Sequence, residues 1–192
     1  MCLRKILFAL VIVGAAFPSL AAPDHYSIDP THTFPSIEFS HMGISVWRGK
    51  FNKTSGKVIL DRVAKSGWVE VEIDTASINF GLAAMDEKAR SEDFFHTEKF
   101  PTATYTGTLK YVGEKPGTVD GRITIMGVTR PLTLRINLFQ CVPHPMLKQE
   151  VCGADAQGEV NWSEYGMKLS RYGEGEAGKV TLRIQVEAIK DR

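Results

Sequence analysis

Most of the chain after residue 24 alternates between apolar and polar side chains, which is the pattern of a β-strand with one buried and one solvated face. The alternation is clearest in residues 68–74, 132–138 and 180–188. In the second of these runs, the aliphatic side chains that should share one buried face are Leu132, Leu134, Ile136 and Leu138. Each run predicts a half-buried strand.

Weaker alternation predicts further strands. These stretches are residues 36–41, 46–53, 56–61, 102–112, 117–126 and 156–162. Glycine, asparagine and proline separate many of them, as is typical of turns. Together the runs predict eight or nine strands, and they predict a single domain because no internal repeat or low-complexity linker divides them.

Only residues 82–90 have a helical composition, and that segment is short. Strands that are apolar on one face need a cover, and the sequence predicts no set of helices to provide it. We therefore expect the sheet to close into a barrel or to fold over as a sandwich. A closed barrel of eight strands has room inside for side chains or one small ligand. Aliphatic inward faces would make such a cavity apolar.

The amino terminus has the parts of a secretory signal peptide. Arg4 and Lys5 precede an apolar run over residues 6–17, and a Ser-Leu-Ala tripeptide follows. We expect residues 1–21 to be removed and residues 22–192 to form one domain, exported to the periplasm. The apolar run is too short to span a membrane, and no later stretch approaches the roughly 18 apolar residues that a span needs.

Composition and charge indicate a globular domain and argue against nucleic-acid binding. Hydrophobic residues make up 43% of the chain and charged residues 23%, which are ordinary values for a globular domain. The 23 lysines and arginines nearly balance the 22 acidic residues, so the formal net charge is only +1. No basic run interrupts this balance, so the chain lacks the electrostatic footprint of a nucleic-acid-binding protein.

Two cysteines remain once the signal peptide is removed, Cys141 and Cys152. An even pair in an exported chain predicts a disulfide, which would close the proline-containing loop between them. Two free thiols are the alternative. A metal site made of the two cysteines and His144 is less favoured, because the spacing fits no common zinc pattern.

No catalytic or metal site is predicted, and we do not expect an enzyme. The sequence lacks the common metal-binding and nucleophile motifs, such as His-Glu-x-x-His and Gly-x-Ser-x-Gly. A cluster of His32, His41 and His96 formed only in three dimensions is an alternative. The glycine-rich residues 173–178 include two acids, which would repel phosphate, so we expect them to connect two strands.

Aromatic residues are frequent in the first half of the mature chain. Plain core packing explains any one of them, but together with the aliphatic run they suit a cavity for a long apolar tail, since each buried methylene contributes about 0.8 kcal/mol. The candidate lining residues are Phe39, Trp47, Phe51, Phe80, Phe94, Phe95, Phe100, Tyr105, Leu134 and Ile136.

A set of short segments occurs in a characteristic order along residues 26–189. The segments are residues 26–33 (YSIDPTHT), 37–43 (IEFSHMG), 49–51 (GKF), 55–56 (SG), 93–95 (DFF), 99–105 (KFPTATY), 121–131 (GRITIMGVTRP) and 165–167 (YGM). In order and spacing they resemble the YceI-like family, exported lipocalin-like barrels described as polyisoprenoid-binding proteins. The resemblance implies an all-β fold, an eight- to nine-stranded antiparallel lipocalin-like barrel with one short helical segment.

Some polar positions of the family pattern are changed in this chain. Where the family commonly has Arg-Asp-x-His-Leu, residues 85–89 begin with Met85 and have Lys88 at the histidine position. Met126 replaces a common histidine, and Trp162 stands where an arginine is frequent. A head-group contact or signalling role attached to those positions therefore does not transfer by resemblance alone.

The resemblance implies a lipid-binding protein that holds a polyisoprenoid or similar amphiphile in an apolar barrel, as carrier, store or shield. The bound isoprenoid lipid is the only cofactor expected, and a homodimer is a further expectation. Two alternatives stay open. One is a barrel without a ligand that acts in stress response or by surface contact, which would need a large exposed apolar patch. The other is a histidine-based, metal-dependent enzyme.

Overall fold

The structure, a computed structural model, describes residues 22–167 and 178–192. In these residues the chain forms eleven strands and one α-helix. The strands β1 to β11 are Asp24–Ile28, Phe34–His41, Ser45–Phe51, Thr54–Asp61, Ser66–Asp74, Ile78–Asn79, Thr102–Val112, Lys115–Ile125, Val128–Pro143, Glu150–Asn161 and Lys179–Lys190. Helix α1 is Ala83–Arg90, and two 3₁₀ turns cover Thr75–Ser77 and Trp162–Tyr165.

Eight of the strands close into an antiparallel barrel in the order β1-β4-β5-β7-β8-β9-β10-β11, with β11 returning to β1. Strand β11 closes the barrel. Along one edge it pairs with β10 over residues 179–189. Along the other edge it pairs first with β2, through residues 180–185, and then with β1, through residues 188–190. The apolar faces of these eight strands thus cover one another inside the ring.

A three-stranded extension leaves the barrel at one end. Strand β2 pairs with β3, and the first residues of β6 pair with the end of β3. The starts of β7 and β9 and the end of β10 lie at this same end, because antiparallel neighbours reverse direction. We call it the hairpin end. The opposite end holds the β9–β10 turn and is called the disulfide end.

The predicted barrel and its single short helix are confirmed. The strands that sequence alternation did not reveal are β1 and β6, which have five and two residues. Segments that short contain too few alternating positions to show a period.

One part of the predicted inward face is wrong. Leu132, Leu134 and Ile136 face the interior, but Leu138 is 63% exposed. The register between β9 and β10 shifts beside Asp155, so Asn137 has no partner of its own in the ladder. This bulge reverses the alternation, and Phe139 takes the inward position instead of Leu138.

The predicted disulfide between Cys141 and Cys152 is present. The two residues lie directly opposite each other on β9 and β10. The bond therefore joins neighbouring strands below the turn, rather than only the ends of an irregular loop.

Two predictions fall partly or wholly outside the residues that the structure describes. They are the signal peptide, residues 1–21, and most of the glycine-rich connection at 173–178. Within the described residues, no helix has the length and apolar character needed to cross a membrane.

Replacing Cys141 and Cys152 together by Ser should lower the free energy of unfolding by about 2–3 kcal/mol, because the unfolded chain regains its loop entropy. Urea denaturation followed by circular dichroism measures the change. A reducing agent should destabilise the wild type by a similar amount and leave the double variant unaffected. Identical urea midpoints for the wild type and the double variant would contradict a stabilising role of the bond.

Candidate ligand cavity

The barrel interior contains a first apolar chamber of about 100 Å³ towards the hairpin end. Strand β11 supplies Val180, Leu182 and Ile184, and the segment after α1 supplies Phe95. The remaining lining is mostly aliphatic and aromatic and consists of Pro35, Ser36, Ile37, Phe51, Val71, Ile73, Ala103, Tyr105, Ile123, Ile125, Leu132, Leu134, Val160, Trp162, Tyr165 and Met167.

A second apolar chamber, also about 100 Å³, lies towards the disulfide end. Its floor includes Tyr26, Leu60 and Cys152, and the bulge brings in Phe139. The two chambers share five lining residues, which are Pro35, Val71, Tyr105, Leu134 and Ile184. The chambers therefore adjoin, and together they extend along the barrel.

Tyr105 stands at the junction of the chambers with its polar atom satisfied. Its hydroxyl lies 3.0 Å from the carbonyl oxygen of Val119 and 3.1 Å from that of Leu132, and it donates to this pair. The lack of a side chain at Gly121 makes room, since a Cβ there would lie 2.6 Å from the Tyr105 hydroxyl. Burial raises the pKa of Tyr105, so the group stays a neutral hydrogen-bond donor.

Half of the ten candidate lining residues from the sequence border these chambers. They are Phe51, Phe95, Tyr105, Leu134 and Ile136. The others lie elsewhere in the structure, and Phe100 packs against His96 with 5.8 Å between ring centroids. Contact of any of these residues with a ligand stays a prediction.

The other four candidates form an aromatic cluster beside the first chamber. Phe39 packs on Trp162 at 4.9 Å and on Phe80 at 6.0 Å between ring centroids. Phe94 packs on Trp162 at 5.2 Å, and Trp47 lies 6.2 Å from Phe80. The cluster fastens the β2–β3 hairpin to the segment after α1. Trp162 also lines the first chamber, so it joins the cluster to the cavity.

Several important lining residues were not among the candidates, notably Val180, Leu182 and Ile184. The signal for them was present, because their run has the most regular alternation in the chain and predicts an inward face. Most of the candidates from the sequence were aromatic, whereas the cavity wall is largely aliphatic.

A polar network crosses the disulfide end below the second chamber. The Arg62 guanidinium donates to Glu150 at 2.7 Å and to the Tyr26 hydroxyl at 2.8 Å, and it pairs with Asp24 at 3.3 Å. It also lies 3.5 and 3.6 Å from the two disulfide sulfurs. Tyr26 donates to Glu150 at 2.5 Å. Asp24 also pairs with Lys190 at 2.6 Å, so the described network holds two cations and two carboxylates, each of them paired.

The ionisation of the network follows from burial and these hydrogen bonds. Burial and the bond to Glu150 raise the pKa of Tyr26. For Glu150, burial alone would raise the pKa, but the bonds from Tyr26 and Arg62 outweigh it and hold the pKa below its ordinary value. The carboxylate is therefore the form that the folded protein stabilises.

The structure does not bring the three histidines of the alternative site together. His32 bonds Asp29 at 2.8 Å, His41 stacks on Trp47 at 4.7 Å, and His96 contacts Phe100. Within residues 22–167 and 178–192, the one group of three potential metal ligands is Cys141, Glu150 and Cys152. The disulfide occupies both thiols, and Arg62 places a positive charge on the group, so it does not fit a cation.

The positions that depart from the family pattern have structural surroundings of their own. Met85 is buried, and Lys88 pairs with Asp93 beside α1. Met126 occupies the turn between β8 and β9 with a positive φ of 50°. Trp162 replaces a polar side chain with an aromatic one at the wall of the first chamber.

A closed antiparallel barrel around an adjoining pair of apolar chambers defines a lipocalin-like fold. The chain belongs to the YceI-like family, since residues 26–188 match the YceI-like domain. It is 30% identical to the protein YceI of Escherichia coli O157:H7 over 197 residues, covering 99% of this chain and 100% of that protein. The predicted family resemblance is confirmed.

Solved structures show the same fold. BcnA of Burkholderia cenocepacia matches with a TM-score of 0.67 and 20% identity, over 83% of this chain and 98% of that chain. A polyisoprenoid-binding domain from Saccharophagus degradans, implicated in plant cell wall breakdown, matches with a TM-score of 0.60 and 15% identity, over 86% of this chain and 98% of that chain. At such identities the likeness shows the fold alone.

The low pKa of Glu150 predicts an acid-sensitive disulfide end. Because the pKa is lower in the folded state, its stabilisation is complete above the unfolded value of about 4.3 and is lost as pH falls through the folded value. Glu150→Gln should therefore reduce the loss of unfolding free energy between about pH 7 and pH 3, measured by urea denaturation.

Glu114→Gln is the matched control for this measurement. Glu114 also pairs with a cation at the same end of the barrel, Lys65, but it is exposed to solvent, where an ion pair contributes little to stability. It should leave the pH dependence close to that of the wild type. An unchanged pH dependence in Glu150→Gln would refute the role assigned to the network.

Proposed function

We propose that this chain is an exported protein that holds a polyisoprenoid or similar amphiphile inside its barrel, as a carrier, store or shield. The observation behind the proposal is the pair of adjoining apolar chambers that share Tyr105. No chemistry on the ligand is part of the proposal, since the separated histidines offer no assembled catalytic group among the described residues.

The lining suits an extended apolar tail. Each buried methylene of a ligand contributes about 0.8 kcal/mol, so affinity grows with tail length until ordering and association costs are offset. The Tyr105 hydroxyl at the junction already donates to two backbone carbonyl oxygens, so it does not need a hydrogen bond from the ligand. A tail can therefore pass from one chamber into the other without leaving a buried polar group unpaired.

The two ends of the barrel favour one orientation of an amphiphile. At the disulfide end, the Arg62 guanidinium below the second chamber is already paired with Glu150 and Asp24, so it is not free to bind a head group. We therefore place the tail towards the Arg62 network and the head group towards the hairpin end.

Three further observations support the proposal. The Saccharophagus degradans domain, which has the same fold, is named as a polyisoprenoid-binding domain, and this supports a ligand of that class. The Cys141–Cys152 disulfide suits an oxidising compartment outside the cytoplasm. The amino-terminal pattern of a basic pair, an apolar run and small residues suits a signal peptide over residues 1–21, with the domain in residues 22–192.

The direct test is to purify the protein from its own exported fraction and record native mass spectra before and after organic extraction. We expect an apolar adduct that extraction removes and that fragments as a prenyl lipid. A protein that is consistently free of lipid would contradict the proposal.

Ala103→Phe should reduce this adduct strongly, because Ala103 lines the first chamber. A cavity of about 150 Å³ accommodates a benzene ring, so a phenyl ring fills most of a chamber of about 100 Å³. Thr104→Phe is the matched control, since its side chain points to the other face of β7. Circular dichroism must show both variants folded. Equal adduct in the two variants would mean that the ligand lies outside the barrel.

A further inference from the structure

The tip of the β2–β3 hairpin exposes large apolar side chains to solvent. Met42 is 62% exposed and Ile44 is 79% exposed, and Val46 beside them is exposed as well. Single exposed apolar residues are common on proteins. Here, however, three of them lie within five consecutive residues of one projecting turn.

Turn geometry does not account for Met42. The amide of Ile44 donates to the carbonyl oxygen of His41 at 3.1 Å, which closes a β-turn whose central residues are Met42 and Gly43. Both central residues have positive φ, 56° at Met42 and 73° at Gly43. Such turns favour Asn-Gly, because asparagine tolerates the left-handed region better than methionine does. Met42 is thus disfavoured both by its backbone and by its exposure, which points to a role for the side chain itself.

The residues behind the tip have the character of a membrane interface. His41 and Trp47 stack with 4.7 Å between ring centroids, one step back from the turn. Amphipathic aromatic rings are enriched at the head-group level of bilayers. Residues 40–47 contain no aspartate or glutamate, so a bilayer would not have to desolvate a carboxylate to receive the tip.

The charged face next to the hairpin is basic. Arg48 and Lys50 lie on β3 and Arg183 lies on β11, the two strands that flank β2 and its Glu38. Glu38 pairs with Arg48 at 2.9 Å and with Arg183 at 3.4 Å, while the Lys50 ammonium lies 4.5 Å from the centroid of the Phe34 ring. Together these three cations and Glu38 carry a net positive charge. This excess of positive charge complements an anionic lipid surface.

The tip and the cavity share an end of the barrel. The strands that form the hairpin also supply Ile37 and Phe51 to the wall of the first chamber. A bilayer that received Met42 and Ile44 would therefore lie next to that chamber.

From these features we infer that the β2–β3 tip docks the protein on an anionic lipid bilayer, with Met42 and Ile44 inserted among the head groups and the Arg48–Lys50–Arg183 face against their charges. The inference goes beyond the proposed lipid binding, because docking on a bilayer does not require that the barrel be filled.

Exposed apolar residues at the disulfide end provide a control for substitutions at the hairpin tip. Val112 is 75% exposed and Met146 is 82% exposed. That end carries charges of both signs, since Asp61, Glu114 and Glu150 lie there with Arg62, Lys65 and Lys148. Arg62 pairs with Glu150 and Lys65 with Glu114, which neutralises part of that charge. The same number of apolar side chains can thus be removed from either end.

The test is co-sedimentation of the purified protein with vesicles of phosphatidylethanolamine and phosphatidylglycerol. We expect Met42→Asn with Ile44→Thr to weaken binding about tenfold or more, because two inserted apolar side chains are lost. Val112→Thr with Met146→Asn should bind as the wild type does. Binding of the wild type to phosphatidylcholine vesicles should be weaker by about tenfold or more, because the basic face loses its partner.

Thermal denaturation of each variant distinguishes a folding defect from a binding defect. The tip variant should be at least as stable as the wild type, because Asn-Gly suits the turn. The inference is overturned if the wild type does not bind the anionic vesicles, if the tip variant binds as well as the wild type, or if the disulfide-end variant loses as much binding. A dimer in sedimentation velocity that the tip substitutions dissociate would also overturn it, since the tip would then pack on a second copy.

Discussion

Covering the apolar strand faces without helices is the constraint on which this structure depends. Helix α1 has only eight residues and cannot cover a sheet. The sheet covers itself, and β11 makes this work by pairing with β10 on one side and with both β2 and β1 on the other. Once the ring closes, the inward aliphatic side chains bound an interior that is apolar by necessity.

The two ends of that interior differ in chemistry, and the difference gives the barrel a direction. At the disulfide end, Arg62 ties β1, the β4–β5 turn and β10 together through Asp24, Tyr26 and Glu150. At the hairpin end, the aromatic cluster around Trp162 fastens an extension whose tip is apolar and whose flank is basic. An amphiphile and a membrane surface both suit this polarity, with the tail directed away from the hairpin.

Alternation along single strands was enough to predict the barrel, the short helix, the inward faces of the β5 and β11 runs, and that of the β9 run as far as Ile136. It was not enough for features that depend on a partner strand. Leu138 and Phe139 exchanged places because a bulge opposite Asp155 reversed the alternation, and a bulge is a property of pairing. The aromatic candidates divided between cavity and cluster for a similar reason. Alternation predicts which face of a strand is buried, but not which element covers that face. Phe51 therefore lines the chamber, whereas Phe39 packs on Trp162.

The most direct test of a ligand-holding interior is a crystal structure of the protein purified from its own exported fraction without detergent or added lipid. The account predicts continuous, elongated electron density that runs through both chambers and passes Tyr105, with its narrow end towards the Arg62 network. Side chains that repack to fill both chambers, or chambers that contain only ordered water, would contradict it.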